Sequence, residues 1–331
     1  MIISKTPYRI PLTGGGTDLD FYYKKRSGSF FSLAINQYVY VHLQQRNIES
    51  NYLIQTTKSE FAKTINQIKH RIIRETLRYF KIKEKMHVGT YSTIPTNTGL
   101  GASSAMIVGL INCIKKYKKL KLRNNEIINK AYEIERKICK QYGGWQDQII
   151  SQVGGLIKVS ISKSAELNIK KLKLNSNIIN KVKNNFLLIY TQSKRNSSSV
   201  SLSVKKRSNK IIIYYDHIKS LNKKLLFAMR NKNPKFIADI FNQHWEYKKK
   251  LSYKISSNNI NKLYLELLTK YNFLGGKLIG AGGGGFFLMI TKNKKKTMQL
   301  LREDNIKFLD PKLVKQGSTI ITGKRDNYFK K

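Results

Sequence analysis

The sequence predicts an α+β protein of two lobes, and three observations predict it. Short apolar runs of strand type alternate with longer segments in which apolar residues recur every three to four positions. A polar, Lys/Asn-rich stretch from about Ala165 to Asn184 separates a patterned first half from a patterned second half. The chain has 331 residues, 40% of them hydrophobic, enough to bury one large core or two moderate ones.

In order, strands are expected at Ile2–Pro7, Ser29–Ile35, Tyr38–Gln45 and Met86–Ser92, each an apolar or alternating run. Helical periodicity runs from about Glu60 to Phe80, then over Ser103–Lys118 and Asn125–Gln141. Gly154 and Gly155 open a strand that lasts to Ser160. Beyond the polar connection come a strand at Phe186–Thr191 and helices near Ser208–Arg230, Lys235–Lys250 and Asn259–Tyr271. Strands at Lys277–Gly280 and Gly285–Thr291, a helix at Lys294–Glu303 and a strand around Ser318–Thr322 close the pattern. A cleft between two lobes is the expected place for a ligand.

Composition removes several classes of function. No apolar run reaches the eighteen or so residues of a membrane helix, and the N-terminus lacks a signal-peptide pattern, so a cytoplasmic protein without membrane contact is expected. Cys113 and Cys139 fall inside helical segments and the five histidines are scattered, which indicates neither a disulfide framework nor a zinc cluster. The formal charge of +44 would suit a polyanion. Its lysines, however, are spread along the whole chain with abundant Asn and Ile, as AT-rich coding sequence produces, and no nucleic-acid motif accompanies them. No specific nucleic-acid partner is expected. A positive field also attracts phosphorylated small molecules.

Three glycine-rich segments carry the functional signal. Pro95-Thr-Asn-Thr-Gly-Leu-Gly-Ala-Ser-Ser-Ala105 follows a strand and opens a helix. Gly99 and Gly101 permit backbone conformations closed to other residues and a close approach to an anion. Ser103 and Ser104 can cap the helix, whose N–H groups would face a phosphate. A plain capped turn accounts for only one glycine and one serine. No Walker-type loop is present, and Gly280-x-Gly282-x-x-Gly285 leads into the apolar strand Phe286–Ile290 rather than a helix, which removes the dinucleotide fingerprint. The third segment, Gly14-Gly-Gly16, is bracketed by Arg9 and Asp18, a cation and a carboxylate that a linker would not need.

In this order the three segments resemble those of the GHMP kinases, small-molecule kinases that include galactokinase and mevalonate kinase, and the resemblance spans the whole chain. It implies ATP and magnesium as cofactors and a cleft between a ribosomal-protein-like β-α N-terminal lobe (residues 1–162) and a ferredoxin-like C-terminal lobe (185–331). Pro95, Gly99, Leu100, Gly101, Ala102, Ser103 and Ser104 would form the ATP phosphate loop. Lys277–Phe286, with Gly282 and Gly283, would be the glycine-rich turn beside nucleotide and substrate. Gly16, Thr17 and Asp18 would bind the sugar, as in the first motif of the sugar kinases. Ile134–Gln148 resembles the segment that carries a magnesium ligand, Glu135, and a catalytic aspartate, Asp147, with Ser104 as second metal ligand. Without the resemblance Glu135 would pass as one more exposed helical carboxylate. Arg9 would lie close to Asp147 and offset charge on the transferring group, while Asp147 accepts or orients the proton of the attacking hydroxyl.

Within that family the opening Thr6-Pro-Tyr-Arg9 and Gly14–Asp18, then Gln146-Asp-Gln148, Tyr190–Arg195 and His244–Leu251, resemble bacterial heptose-phosphate kinases. These phosphorylate the anomeric hydroxyl of D-glycero-D-manno-heptose 7-phosphate in nucleotide-activated heptose synthesis. The substrate's phosphate would need a cation, Arg195 first and Lys194 second. Gln192 stands where the subfamily has a glycine. The alternatives are an anomeric kinase of an unphosphorylated sugar such as L-fucose, a non-catalytic homologue, and a nucleic-acid binder. The sequence leaves the assembly open, a homodimer included.

Overall fold

The computed structural model describes residues 1–95, 98–172, 185–193, 197–207, 209–231 and 233–321. Its first half is built on an eight-stranded sheet. Strand β1 (Ile2–Thr13) runs antiparallel to the long β2 (Gly28–Gln45), with α1 (Asp20–Arg26) in the connection. The expected strands Ser29–Ile35 and Tyr38–Gln45 are one strand carrying a bulge: Pro7 pairs with Tyr38 and Tyr8 with Ile35, so Asn36 and Gln37 are extra on the β2 side.

The other edge of β2 is shared. Its later half pairs with β5 (Met86–Ser92) and its earlier half with β6 (Leu156–Ile161), which carries β7 (Leu167–Lys171). The hairpin β3 (Tyr52–Gln55) and β4 (Ser59–Ala62) extends the sheet, with β3 parallel to β5. This corrects the expected helix from Glu60: the helix α2 is only Arg71–Tyr79. The Glu60 carboxylate accepts the backbone N–H groups of Lys69 and His70 instead, tying β4 to the entry of α2. The expected connection from Ala165 likewise contains β7, which pairs with β6.

Helix α3 (Ala102–Tyr117) packs on β1 and β2 and is buried over Ser104–Ile114, so it is apolar nearly all round. Four of its side chains, Ile107, Leu110, Ile111 and Ile114, are fully buried, each worth roughly 1.5–3 kcal/mol. Gly109 permits the close approach: a Cβ there would sit 2.7 Å from Ser4 Oγ of β1. Helices α4 (Asn124–Tyr132) and α5 (Gln146–Val153) complete this layer.

The second half is a four-stranded antiparallel sheet in the order β11 (Phe308–Leu309), β8 (Phe186–Tyr190), β10 (Phe286–Thr291), β9 (Phe273–Leu278). Its helices are α6 (Ser197–Lys206), α7 (Ile212–Arg230), α8 (Pro234–Leu251), α9 (Asn258–Thr269) and α10 (Lys294–Glu303). Strand β12 (Thr319–Ile320) follows this sheet in sequence but pairs with β1. One buried cluster runs from Tyr8 and Ile10 through Ile107 to Leu188, Phe241 and Phe286, so both halves share a core. Among the described residues no helix is long and apolar enough to cross a membrane.

Candidate active site

Two glycines shape the turn that opens α3. Gly99 and Gly101 both have positive φ, 85° and 86°, and Gly101 is the residue before the first helical turn. It offers no side chain as a cap, and neither serine fills that place. The expected serine cap is therefore corrected: Ser103 and Ser104 lie inside the first turn and their hydroxyls donate to Glu135, at 2.8 and 2.7 Å. The first N–H groups of α3 are thus uncapped by side chains, as a bound phosphate requires. Ala102 and both serines line the cleft. Leu100 is buried and its carbonyl accepts the Arg9 N–H at 3.2 Å, while the exposed Pro95 receives the Thr98 hydroxyl on its carbonyl at 3.1 Å.

Arg9, on β1 just past the bulge, meets Asp147 in the first turn of α5. Nε donates to Oδ1 at 2.7 Å and Nη2 to Oδ2 at 2.9 Å, a two-point pair. The third arm, Nη1, donates to the Gly99 carbonyl, which ties the pair to the glycine-rich loop before α3. A Cβ on Gly101 would lie 3.5 Å from Asp147 Oδ2 and 3.5 Å from Arg9 Cγ, so loop, cation and carboxylate are neighbours.

Glu135 is 1% exposed, contrary to the surface position its helical pattern suggests. The expected helix Asn125–Gln141 is regular only to Tyr132, after which Glu133–Ile138 winds as a π-helix. The wider turn takes Glu135 out of the outward-facing register. Its carboxylate accepts from Ser103, Ser104 and the Gln148 amide, the last at 2.6 Å, with Arg136 Nη1 3.5 Å away. Carboxylate and hydroxyl side by side are hard oxygen donors of the kind magnesium takes, sparse enough to leave the remaining positions to phosphate and water. Among the described residues there is no cluster of three His, Cys, Asp or Glu that could hold a metal on its own.

Asp18 is buried and holds two backbone N–H groups, Gly16 on Oδ1 at 3.0 Å and Gln146 on Oδ2 at 2.9 Å. It thereby closes the N-terminus of α5 from another segment. Burial raises its pKa, the Gln146 N–H opposes the rise, and the charge of Asp147 adds to it. Thr17 faces away from the cleft, its hydroxyl bonding the Gly14 carbonyl at 2.8 Å and taking the Ser29 N–H at 3.0 Å. Gly16 lines the cleft against Tyr215. Nearby, Gln146 Nε2, the Tyr142 hydroxyl and Trp145 Nε1 are buried without partners, donors suited to the hydroxyls of a ligand.

The opposite wall comes from β9 and α8. Lys277 is 1% exposed, and burial, with Arg9 as its charged neighbour, pushes its pKa down to about 7. Beside it His244 is buried with neither ring nitrogen hydrogen-bonded, and burial first, then Lys277 and Lys248, holds its pKa well below the usual value. One helical turn on, Lys248 Nζ donates to the carbonyls of Leu278 and Gly280 at 2.7 Å each, anchoring the glycine-rich turn. Gly280 and Ala281 face the cleft, whereas Gly282 packs on Ile255 and Gly283 on Val200. Lys194 and Arg195 lie outside the described residues. Two residues earlier, Gln192 has φ 53°, the left-handed conformation that suits the glycine the resemblance led us to expect.

Arg9, Asp18, Gly99, Ser104, Glu135, Asp147 and Lys277 border one cleft of about 1240 Å3, whereas Thr17, Gly282 and Gly283 do not reach it. A second cavity of about 1180 Å3, between α7 and the β6–β7 edge, brings none of them together. Arg136, Gln148, Lys277 and His244 border the site or support it without having been singled out from the sequence. Each sat inside a quoted segment, and only the fold shows which face it presents.

Residues 64–155 match the sequence profile of the GHMP kinases N terminal domain. The chain is 27% identical over 297 residues to D-glycero-alpha-D-manno-heptose 7-phosphate kinase of Campylobacter jejuni, covering 85% of this chain and 86% of that one. A crystal structure of a D-glycero-D-manno-heptose 1-phosphate kinase from Bacteroides thetaiotaomicron superposes with a TM-score of 0.80 at 22% identity, over 98% of this chain and 100% of that one. Mevalonate kinase from Methanococcus jannaschii superposes with a TM-score of 0.70 at 22% identity, over 94% and 98% of the two chains.

Proposed function

Since this chain belongs to the GHMP kinases and is an ATP-dependent sugar kinase, we propose that its acceptor is the anomeric hydroxyl of D-glycero-D-manno-heptose 7-phosphate. The product would be the 1,7-bisphosphate, a precursor for nucleotide activation of the heptose. The observation that carries the chemistry is the two-point Arg9–Asp147 pair set against Gly99 and Gly101 of the phosphate loop. The choice of sugar rests on the Campylobacter relative, matched over most of both chains.

In this reading the uncapped first turn of α3 and Gly99–Ser104 hold the triphosphate. Asp147 takes the proton of the anomeric hydroxyl as its oxygen bonds to the γ-phosphorus, and the bond from that phosphorus to the β,γ-bridging oxygen breaks, releasing ADP. Arg9 keeps the Asp147 carboxylate aimed and offsets negative charge on the group in flight. Asp18, through α5, and Gln146 fix the sugar's orientation. Ser104 and Glu135 would hold magnesium, whose chemistry is to neutralise charge on the β- and γ-oxygens.

The test is ADP release from ATP and magnesium with heptose 7-phosphate, free mannoheptose, L-fucose and galactose compared at equal concentration. Preference for the heptose phosphate supports the reading. Preference for a free sugar keeps the kinase and removes the 7-phosphate.

A further inference from the structure

The wall opposite the phosphate loop carries basic groups for which the mechanism above has no use. Lys277 is among the largest fully buried side chains, yet among the described residues its ammonium has no hydrogen bond or salt bridge, and Arg9 is the one charge that acts on it. The Phe241 ring lies 5.7 Å from Nζ to the ring centre. The charged or titratable groups that face it are Arg9 from β1 and His244 from α8, and on the far side of His244 stands Lys248. At the paired register β10 presents Leu288, and Tyr264 of α9 gives its hydroxyl to Asn242 and lies close to the Gly276 carbonyl. A buried ammonium with no countercharge costs several kcal/mol, and an apolar side chain of equal volume would avoid that cost. Lys277 and His244 both border the cleft.

We propose that Lys277, backed by the unpartnered ring of His244, binds a phosphoryl oxygen and positions it against Arg9. The ligand class is a tetrahedral oxyanion, and the inference rests on the kinase reading for which oxyanion that is. Contact between the fields of Lys277 and Arg9 favours the phosphoryl group being transferred; the substrate's own phosphate is the other source. Without an anion the lysine is about half protonated near pH 7, because burial and Arg9 disfavour its charge. An arriving oxyanion supplies the missing countercharge, so binding takes up a proton.

The experiment uses the full chain, Lys277→Met and Lys277→Arg. Sulfate, which carries no titrating proton near pH 7, is bound calorimetrically in buffers of different ionisation enthalpy. The wild type should take up roughly half a proton per sulfate, and Lys277→Met none. Steady-state kinetics then separate the sources. A loss in kcat of about a hundredfold on both phosphorylated and free heptose, with KM unchanged, assigns the transferring group. A rise in KM confined to the phosphorylated heptose assigns the substrate's phosphate. Lys277→Arg should recover part of either loss. Equal sulfate affinity and proton uptake in wild type and Lys277→Met, with kinetic constants within twofold, overturns the proposal. The sulfate arm needs no sugar, so a wild type that binds sulfate with proton uptake but phosphorylates no sugar refutes the acceptor and leaves this site standing.

Discussion

Arg9 and Asp147, separated by 138 positions in sequence, meet in a parallel pair of hydrogen bonds of 2.7 and 2.9 Å at the edge of the glycine-rich loop before α3. A lysine at position 9 would keep the charge but lose the fork, and with it the bond to the Gly99 carbonyl. Arg9→Lys should lower kcat at least about tenfold while KM for ATP changes less, since aim rather than attraction is lost. Steady-state kinetics with thermal melts to confirm folding check this. A variant with normal kcat would remove Arg9 from the chemistry.

Gly144 touches the other carboxylate. A Cβ there would fall 2.1 Å from Asp18 Oδ2, which must then release the Gln146 N–H it holds at 2.9 Å. Gly144→Ala should raise KM for the sugar by about tenfold and leave KM for ATP near its original value, one lost charge-assisted hydrogen bond being worth roughly 1.5–3 kcal/mol. Measuring both constants on one preparation decides it. Equal rises in the two would mean general damage to the cleft.

Glu135 is surrounded by three donors, Ser103, Ser104 and Gln148. An amide keeps one acceptor and turns a second donor toward them, besides losing the charge a metal needs. Glu135→Gln should raise the magnesium concentration for half-maximal rate at least about tenfold, with part of kcat regained at saturating metal. An unchanged magnesium dependence would show that the ion is held elsewhere.

His42 lies in the first sheet beside Gly89, where any added Cβ would meet its ring at 2.1 Å, and Nε2 has no partner. Burial, then the neighbouring His87, pushes its pKa down to about 4 from 6.5. The folded state therefore binds fewer protons than the unfolded state between these values, and stability rises with pH across that window. Lowering the pH from about 6.5 to 4 should lower the urea midpoint, and His42→Leu should flatten that part of the profile. An unchanged slope in His42→Leu would place the acid sensitivity at other groups, His244 first.

What the sequence made legible follows from how local each signal is. Met86–Ser92 and Lys294–Glu303 have the bounds their patterns predict, because each is a short run with clear periodicity and clear stops. The strand Gly28–Gln45 read as two because Asn36 and Gln37 interrupt its alternation, and only pairing with β1 shows them to be a bulge. Glu60 looked helical since its role, receiving two N–H groups from residues 69 and 70, is a contact across a turn. In the site, Gly99, Gly101, Arg9 and Asp147 were visible through glycine spacing and family likeness. The inward turn of Glu135 depends on a π-helix that leaves no compositional mark. Lys277 was one lysine in a lysine-rich chain, and its burial at 1% exposure is what sets it apart.

The most direct test of the account is to follow phosphorus during turnover. Wild type and Asp147→Asn would be incubated with ATP, magnesium and D-glycero-D-manno-heptose 7-phosphate, and the product read by 31P–1H correlation. The account predicts a new phosphorus signal coupled to the anomeric proton, formed by the wild type and slowed about 10²–10⁴-fold in Asp147→Asn. A phosphate on any other carbon, or an Asp147→Asn rate equal to that of the wild type, would contradict it.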